Sequence, residues 1–562
     1  MTKKWEYYSV DEEKAIEISK KHNIDLLISK MLVNRGIIND YDIKIFLNPT
    51  RNDFHDPFLF KDMDIAVDRI IKAINNNEKT VVYGDYDVDG ITSITVLKRF
   101  LKERGLDISA HIPNRLNEGY GLNKEAIEEI AREKNTLMIT VDCGISGVEE
   151  IDYAKTLGIE TIITDHHEQL DVLPNALAII DAKRKDNTYP FRGLAGVGVV
   201  FKLIQAIGIR LELEEKEYLK YLDIVCVGTI SDIVPLVDEN RVIAKLGLKL
   251  IEVTKNVGLR EIIKATGYKQ IDSNTISFGI APRINACGRM GYQEEGLKLF
   301  LTENISEAVE ITKKLNEYNK SRQDTEKRIF EETINMIEAE KDKNTSSIIL
   351  SSNDWHHGVI GIVSSKVTDM YFKPSVLICF EGEEGKGSGR SIPGFDLHDA
   401  LHKCSDTLER YGGHEMAVGL TINKNNFNNF KKKFEEVVKE SKIDQISQII
   451  YIDGEVELKD IKKEIIGQIK LLEPFGEGNR VPLIVCKNLK IDSIRALSEG
   501  KHLKLTLKES NTMINGIGFN LGKLSDEYLI GDKVDVIGVL EINSFNGNEN
   551  VQINIKDIRK SY

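Results

Sequence analysis

Between residues 79 and 165 the sequence alternates between short apolar runs and amphipathic segments. In chain order these are VVYGD, SITVLKRFLKERG, LMITVD, GVEEIDYAKTLG and TIITD. Runs of this kind predict buried strands, and the segments between them predict helices. Strands joined by helices form a parallel sheet covered on both faces, and its reactive groups gather where the strands end. We therefore predict an α/β core with a parallel sheet.

Acidic side chains follow the predicted strands. GDYDVDG follows the first run, VDCG ends the second, TDHH ends the third, and a further apolar run ends in SDIVP. Closely spaced carboxylates repel one another unless a cation lies among them. We expect all of these acids at a strand end or in the adjoining turn, where they would converge. The predicted metal ligands are Asp85, Asp87, Asp89, Asp142, His166 and Asp232.

Carboxylate oxygens with one or two imidazoles suit Mn²⁺ or Mg²⁺ better than softer metals. Two ions about 3.5–4 Å apart usually share one carboxylate, and Asp142, alone at a central strand end, is the natural bridge. Of the adjacent histidines we assign His166 as a ligand and His167 as a group that faces phosphate or holds a ligand, although the reverse stays open. The alternative is a surface turn at GDYDVDG with helix caps elsewhere, which leaves the histidine pair unexplained.

A second group of residues suits phosphate binding. Glycine lets backbone amides approach an anion, and arginine offers a fork that matches phosphate oxygens. The candidates lie in glycine-rich, loop-like contexts, and LAGVGVV and GGHEMAVG are glycine turns that open helices. A solvated arginine, or a structural role for His414, is the alternative in each case. The candidates are Arg115, Arg283, Arg289, Ser388, Arg390 and His414.

The 562 residues are enough for three or four domains at about 150 residues each. We expect the α/β core at 1–305, one long helix at 306–340, a second α/β unit at 341–445, and a small OB-fold barrel of short strands at 446–562. The net charge of −13 does not exclude nucleic acid, because local patches govern binding. Six dispersed cysteines, no long apolar run and no signal-peptide core predict a cytoplasmic protein without structural zinc.

The motifs DYDVDG, VDCG, TDHH, SDIVP, APRINACGRM, GSGRS and GGHEMAVG, in this order, resemble the DHH phosphoesterase superfamily. More narrowly they resemble the RecJ family of single-strand-specific 5′-to-3′ DNA exonucleases, from about residue 75 to 480. Other DHH branches carry histidine where this chain has Tyr83, so the resemblance favours RecJ and implies one ligand fewer for the first metal. It places the third unit as the DHH-associated C-terminal domain.

The resemblance implies two-metal hydrolysis of phosphodiester bonds, releasing 5′ mononucleotides in DNA recombination and repair. It implies Asp142, His167 and Arg289 at the scissile phosphate, with Ser388 and Arg390 among the residues that hold the 5′ end, together with Arg115. It also implies a monomer with single-stranded DNA as partner, and helicase and single-strand-binding protein as further partners. Two alternatives remain: a phosphodiesterase of dinucleotides or short oligonucleotides, and a non-catalytic DNA-binding scaffold.

Overall fold

The computed structural model describes residues 3–113, 121–339, 345–443, 446–545 and 548–561. The chain begins with a short strand and three helices, each helix capped at its start by Asp11, Asp25 or Asn39. These elements are β1 (Lys4–Tyr7), α1 (Glu12–His22), α2 (Leu26–Asn34) and α3 (Asp40–Leu47). Within the described ranges, no helix combines the length and apolar character needed to cross a membrane.

The predicted α/β core follows. Its elements are α4 (Met63–Asn76), β2 (Thr80–Gly84), α5 (Val88–Lys102), β3 (Ile108–His111), α6 (Lys124–Arg132), β4 (Leu137–Val141), α7 (Val148–Thr156), β5 (Glu160–Asp165), β6 (Ala178–Asp181) and α8 (Gly196–Arg210). The five strands pair in parallel in the order β3-β2-β4-β5-β6. Alternate residues of β2 face opposite layers: Val82 packs with α4, α5 and α8, whereas Val81 and Tyr83 pack with α6 and α7. The prediction of a parallel sheet covered on both faces is confirmed.

Helices complete the core. They are α9 (Lys216–Leu219), α10 (Leu222–Ser231), α11 (Asp238–Ile251), α12 (Val257–Thr266), α13 (Ala281–Arg289) and α14 (Gln293–Leu301), with a π-helical segment at Thr275–Ile280. The expectation that Asp232 follows a strand is wrong, because Asp232 caps the C-terminal end of α10. That helix is buried on every side, and a short apolar run of this kind cannot be told from a buried strand by its pattern.

A single helix, α15 (Ile305–Ala339), joins the core to the second α/β unit. Ile311 and Leu315 pack into the first core, and Ile329 packs into the second. The second unit contains β7 (Ile348–Ser352), α16 (His357–Tyr371), β8 (Ser375–Glu381), β9 (Glu384–Arg390), α17 (Leu397–Lys403), β10 (Arg410–His414), β11 (Ala417–Asn423) and α18 (Phe427–Glu440). Its strand order is β10-β11-β9-β8-β7, with only β7 and β8 parallel.

The C-terminal part is a closed barrel of the expected OB type. Its elements are β12 (Ile449–Ile452), β13 (Gly454–Glu455), α19 (Lys463–Ile469), β14 (Ile484–Leu497), β15 (His502–Glu509), β16 (Thr512–Gly518), β17 (Lys533–Phe545) and β18 (Asn548–Lys560). The order β14-β15-β16-β18-β17 closes through a β14–β17 pairing.

The first helices belong with the barrel rather than with the α/β core. Ile28 and Met31 of α2 and Phe46 of α3 share one hydrophobic core with Leu489 and Leu505 of the barrel. Strand β1 also pairs in parallel with β12. Helices α1, α2 and α3, which lie within the range expected for the α/β core, therefore pack on the barrel, because amphipathic helices show that a face is buried but not which domain buries it.

Candidate metal centre

Three carboxylates meet where the strand order of the core sheet reverses. Strands β3 and β4 lie on opposite sides of β2, and such a reversal opens a crevice beyond the strand ends. Asp85 follows β2, and Asp87 caps α5 by accepting a hydrogen bond from Gly90 N at 3.1 Å. Asp142 follows β4 in the left-handed region, with a φ of 59°. Asp85, Asp87 and Asp142 place one oxygen each within 4.8 Å of one another.

A second group of three shares this crevice. Asp89, His166 and Asp232 also place ligand atoms within 4.8 Å of one another. His166 Nε2 lies 3.1 Å from Asp142 Oδ1 and 3.9 Å from Asp89 Oδ2, and its Nδ1 lies 3.7 Å from Asp232 Oδ2. His166 therefore stands between the two groups. All six predicted ligands converge.

Asp89 is held by the start of helix α8. Its Oδ2 accepts a hydrogen bond from Gly196 N, and its Oδ1 accepts one from Val197 N, both at 2.7 Å. Amides at a helix start attract negative charge, so they favour the carboxylate form. Gly196 also admits Asp142, because a Cβ at residue 196 would lie 2.7 Å from Asp142 Oδ1.

The site concentrates negative charge away from water. Burial, together with the neighbouring acids, raises the pKa of Asp89 to about 7 and that of Asp232 to about 9. The pKa of Asp142 is raised for the same reasons. Burial lowers the pKa of His166 to about 3, which keeps its imidazole neutral and able to bind a cation.

The donor set fits divalent cations. His166 Nε2 and Asp232 Oδ2 are buried and make no hydrogen bond to any described residue. Buried polar atoms are normally paired, so two such atoms facing one crevice indicate a ligand. Carboxylate oxygens with an imidazole suit Mn²⁺ or Mg²⁺. Tyr83, which stands where the resemblance places a histidine in other DHH branches, points elsewhere and donates its hydroxyl to Gly121 O at 3.1 Å.

Asp165 orients His167, a role that the sequence did not reveal. Asp165 Oδ1 lies 2.7 Å from His167 Nδ1, and its Oδ2 accepts from Ile145 N at 2.9 Å. Burial would lower the pKa of His167, but the hydrogen bond to Asp165 and its charge raise it. His167 also lies near Asp142 and His166. The sequence signal was available, since Asp165 ends an apolar strand as Asp142 does.

Some of the predicted phosphate residues lie at the junction with the second unit. Arg289 ends helix α13, and its Nη1 donates to Gly358 O of α16 at 2.8 Å. Ser388 and Arg390 lie on β9, where Arg390 Nη1 is 3.2 Å from Ser388 Oγ. A Cβ at Gly361 of α16 would lie 2.9 Å from Ser388 Oγ, so β9 packs closely on that helix.

The remaining predicted residues have different surroundings. Arg283 donates to Asn316 Oδ1 at 2.7 Å and also to the carbonyl of Gly279. His414 is exposed at the end of β10, where it pairs with Ala417, and Ala417 pairs in turn with Arg390 of β9. Arg115 lies outside the described residues. The expected loops and turns are wrong in three places: APRINACGRM is helical, GKGSGRS forms β9, and the GGH segment ends β10 rather than opening a helix. In β9 the glycines allow the neighbouring strands to pack closely.

An open cleft of about 1100 Å³ leads away from Arg289. Its walls are the ends of α10 and α13, helices α15 and α16, and the segment before β14. Ile233, Phe278, Arg322, Lys366 and Arg480 are among the residues that line it.

Three family domains match this chain. The DHH family N-terminal domain matches residues 79–229, the DHHA1 domain matches residues 344–440, and the RecJ OB domain matches residues 452–557.

Proteins of known name match nearly the whole chain. The single-stranded-DNA-specific exonuclease RecJ of Bacillus subtilis is 36% identical over 99% of this chain and 70% of its own length. The protein of the same name from Escherichia coli is 31% identical over 88% of this chain and 89% of its own length. The crystal structure of RecJ from Thermus thermophilus in complex with Mn²⁺ is similar with a TM-score of 0.87 and 29% identity, covering 100% of this chain and 80% of that one. A Mg²⁺ complex of RecJ from the same organism has a TM-score of 0.80 and 27% identity, covering 100% of this chain and 79% of that one. The chain therefore belongs to the RecJ family.

Proposed function

We propose that this protein is a single-strand-specific DNA exonuclease that hydrolyses phosphodiester bonds from the 5′ end and releases 5′ mononucleotides. The observation that carries the proposal is the convergence of five carboxylates and one neutral imidazole in one buried crevice. The relatives named as RecJ exonucleases support the substrate, and the Mn²⁺ and Mg²⁺ complexes support the cofactor.

The two groups of three would hold two divalent ions, Mn²⁺ or Mg²⁺. One group is Asp85, Asp87 and Asp142, and the other is Asp89, His166 and Asp232. Such ions activate a water molecule for attack and neutralise charge on the phosphate and leaving oxygen. Asp142 lies 3.1 Å from His166, so it can serve both positions.

The remaining side chains position the substrate. Arg289 follows Gly288, where an added Cβ would lie 3.0 Å from the carbonyl oxygen of Tyr86, the residue between Asp85 and Asp87. Its guanidinium would bind the scissile phosphate, while Gly358 O fixes its orientation. His167, held by Asp165, is a cationic donor for a phosphate oxygen, because the raised pKa favours its protonated form. Both groups would stabilise negative charge as it develops on phosphorus.

Ser388 and Arg390 would hold the terminal 5′ phosphate. They face α16 beside Gly361, while Arg289 reaches the start of the same helix. A terminal phosphate bound at this place would fix the distance to the hydrolysed bond and would limit each cut to one nucleotide. Arg115, which lies outside the described residues, is proposed as a third member. Arg283 is bound within the core, so its contact with DNA has the least support.

Like charges on the barrel favour a strand-binding surface. Arg495 and Lys504 are directly paired across β14 and β15, and so are Lys490 and Lys508. Like charges in such pairs destabilise a sheet unless an anion lies between them. OB-folds bind oligonucleotides on the face of their second and third strands, and Lys504 and Lys508 lie on β15, the second strand of this barrel. A small dinucleotide has no use for such a surface, which favours longer strands.

Labelled single strands test the proposal. Strands labelled at either end, with and without a 5′ phosphate, are digested in Mn²⁺ or Mg²⁺, and the products are resolved by size. We expect mononucleotides from the 5′ end and little product from blunt duplex. Faster turnover of a dinucleotide than of a long strand would instead support the phosphodiesterase, and no hydrolysis in either metal would support the scaffold.

The family resemblance also supports proposals about partners and assembly. We propose that the protein is a monomer and that it acts with a helicase and a single-strand-binding protein. The first proposal predicts a monomeric mass in solution. The second predicts faster digestion of a duplex when a helicase is added. A stable dimer, or no effect of the helicase, would contradict these proposals.

A further inference from the structure

One wall of the cleft carries a group of charged residues that the mechanism above does not use. We call Arg322, Glu326 and Lys366 the cation cluster. The Glu326 carboxylate forms ion pairs with both Arg322 and Lys366, and Arg322 Nη2 donates to Asn319 Oδ1 at 2.7 Å. Two cations and one carboxylate leave the cluster with one net positive charge.

The cation cluster lies along the cleft from the reacting centre. Lys366 follows Gly358 by eight residues on α16, which is about 12 Å along a helix. Gly358 O contacts Arg289, so a strand whose scissile phosphate lies at Arg289 could reach Lys366 further along its backbone. Arg322 and Lys366 line the same cleft as Arg289.

Other parts of the cleft expose apolar side chains. Ile233 is 73% exposed and Phe278 is 70% exposed, and both line the cleft. Ile233 has a φ of 62°, which is costly for a β-branched residue and is sustained only where the surrounding structure imposes it. A cleft with apolar side chains and a cationic wall suits a ligand with flat apolar groups along an anionic backbone, as in single-stranded nucleic acid.

We propose that the cation cluster binds a backbone phosphate of the DNA strand downstream of the hydrolysed bond, with bases lying against Ile233 and Phe278. The proposal rests on the proposed function, because it takes single-stranded DNA as the occupant of the cleft. Glu326 holds the two cations in place before the strand arrives, which reduces the entropy lost on binding. The contact explains how a substrate longer than a dinucleotide would bind more tightly.

The test is the salt dependence of strand binding by Lys366→Ala. Binding of a twenty-nucleotide oligo-dT is measured in an Asp142→Asn background, which prevents digestion. Loss of one phosphate contact lowers the slope of log Kd against log salt by about 0.7 for a single strand. In the active enzyme, KM for the long strand should rise severalfold, and more than KM for a dinucleotide. Lys366→Arg should restore the slope.

Lys403→Ala is the matched control. The two lysine side chains are similarly exposed, 57% for Lys403 and 55% for Lys366, and Lys403 is also paired with one carboxylate, that of Asp399. An unchanged slope in Lys366→Ala, or an equal change in Lys403→Ala, would overturn the proposal. If the ion pair of Lys366 is purely structural, Lys366→Ala would lower the Tm in thermal unfolding and leave the salt slope unchanged. Failure of the wild type to digest any single strand would overturn the proposed function instead.

Discussion

Gly196→Ala should lower the activity of the enzyme strongly without unfolding it. The new Cβ would lie 2.7 Å from Asp142 Oδ1 and 2.8 Å from Asp142 Cβ. Ordinary contacts begin near 3.4 Å, so the carboxylate must withdraw by about 0.7 Å (3.4 − 2.7). Because Asp142 serves both proposed ion positions, this shift disturbs both. A misplacement of about 1 Å can cost about 10²-fold in rate, so we expect a loss of that order. Overpacking should lower the free energy of unfolding by about 1–3 kcal/mol.

Gly198→Ala is the control on the same helix. Its Cβ would meet Leu194 Cδ2 at 3.2 Å, the end of a flexible side chain rather than a ligand. Both variants are assayed by nucleotide release from single-stranded DNA, by urea unfolding, and by calorimetric titration with Mn²⁺. Gly196→Ala should lose activity and Mn²⁺ affinity together, while Gly198→Ala keeps both.

The reasoning would be refuted if both variants had rates within threefold of each other. It would also be refuted if Gly196→Ala lost activity while binding Mn²⁺ as the wild type does. In that case the close approach of α8 to Asp142 would not be what fixes the ligand.

Three further results are expected. Asp165→Asn removes the charge that orients His167. We expect kcat to fall by about 10–100-fold while the Mn²⁺ affinity, measured by titration, stays nearly unchanged. A loss of Mn²⁺ affinity would instead show that Asp165 is a metal ligand. The hydrogen bond to Asp238 raises the pKa of His55 above its usual 6.5, so its stabilisation is complete below that pH and is lost as pH rises through the folded-state pKa. His55→Gln should therefore lower the free energy of unfolding by about 0.2–1 kcal/mol at pH 5.5 and by less at pH 8.5, and an equal loss at both pH values would contradict this. Finally, Mn²⁺ at 100 times its Kd should stabilise the protein by about 2.7 kcal/mol per site, seen as a rise in Tm over EDTA-treated protein; no rise would mean that the crowded carboxylates bind no ion.

The sequence predicted the parts of the fold that depend on local pattern. The apolar runs before Asp85, Asp142 and Asp165 became parallel strands, because a run buried on both faces has few alternatives when helices flank it. Asp85, Asp142 and Asp165 converged because parallel strands end at one edge, whereas Asp232 reaches the site from the end of helix α10. The uninterrupted polar stretch after residue 305 became one helix that packs into both cores.

Contacts between distant parts of the chain were harder to predict from the sequence. The helices at residues 12–47 pack on the barrel more than 400 positions away, and nothing in their pattern indicates this partner. Glycine-rich motifs were interpreted as loops, although Gly387 and Gly389 lie within a strand where side chains of its neighbours leave no room for a Cβ. Arg283 shows the same limit, since the sequence cannot separate an arginine that binds phosphate from one that is partly buried and donates to neighbouring residues.

The central claim is that two divalent cations bind among these carboxylates. Anomalous diffraction from crystals soaked in Mn²⁺ tests it most directly. The account predicts two peaks about 3.5–4 Å apart, one beside Asp85 and Asp87 and one beside Asp89 and Asp232, with Asp142 reaching both. An absence of anomalous density at both places, in crystals of protein that digests single-stranded DNA in the same Mn²⁺ concentration, would contradict it.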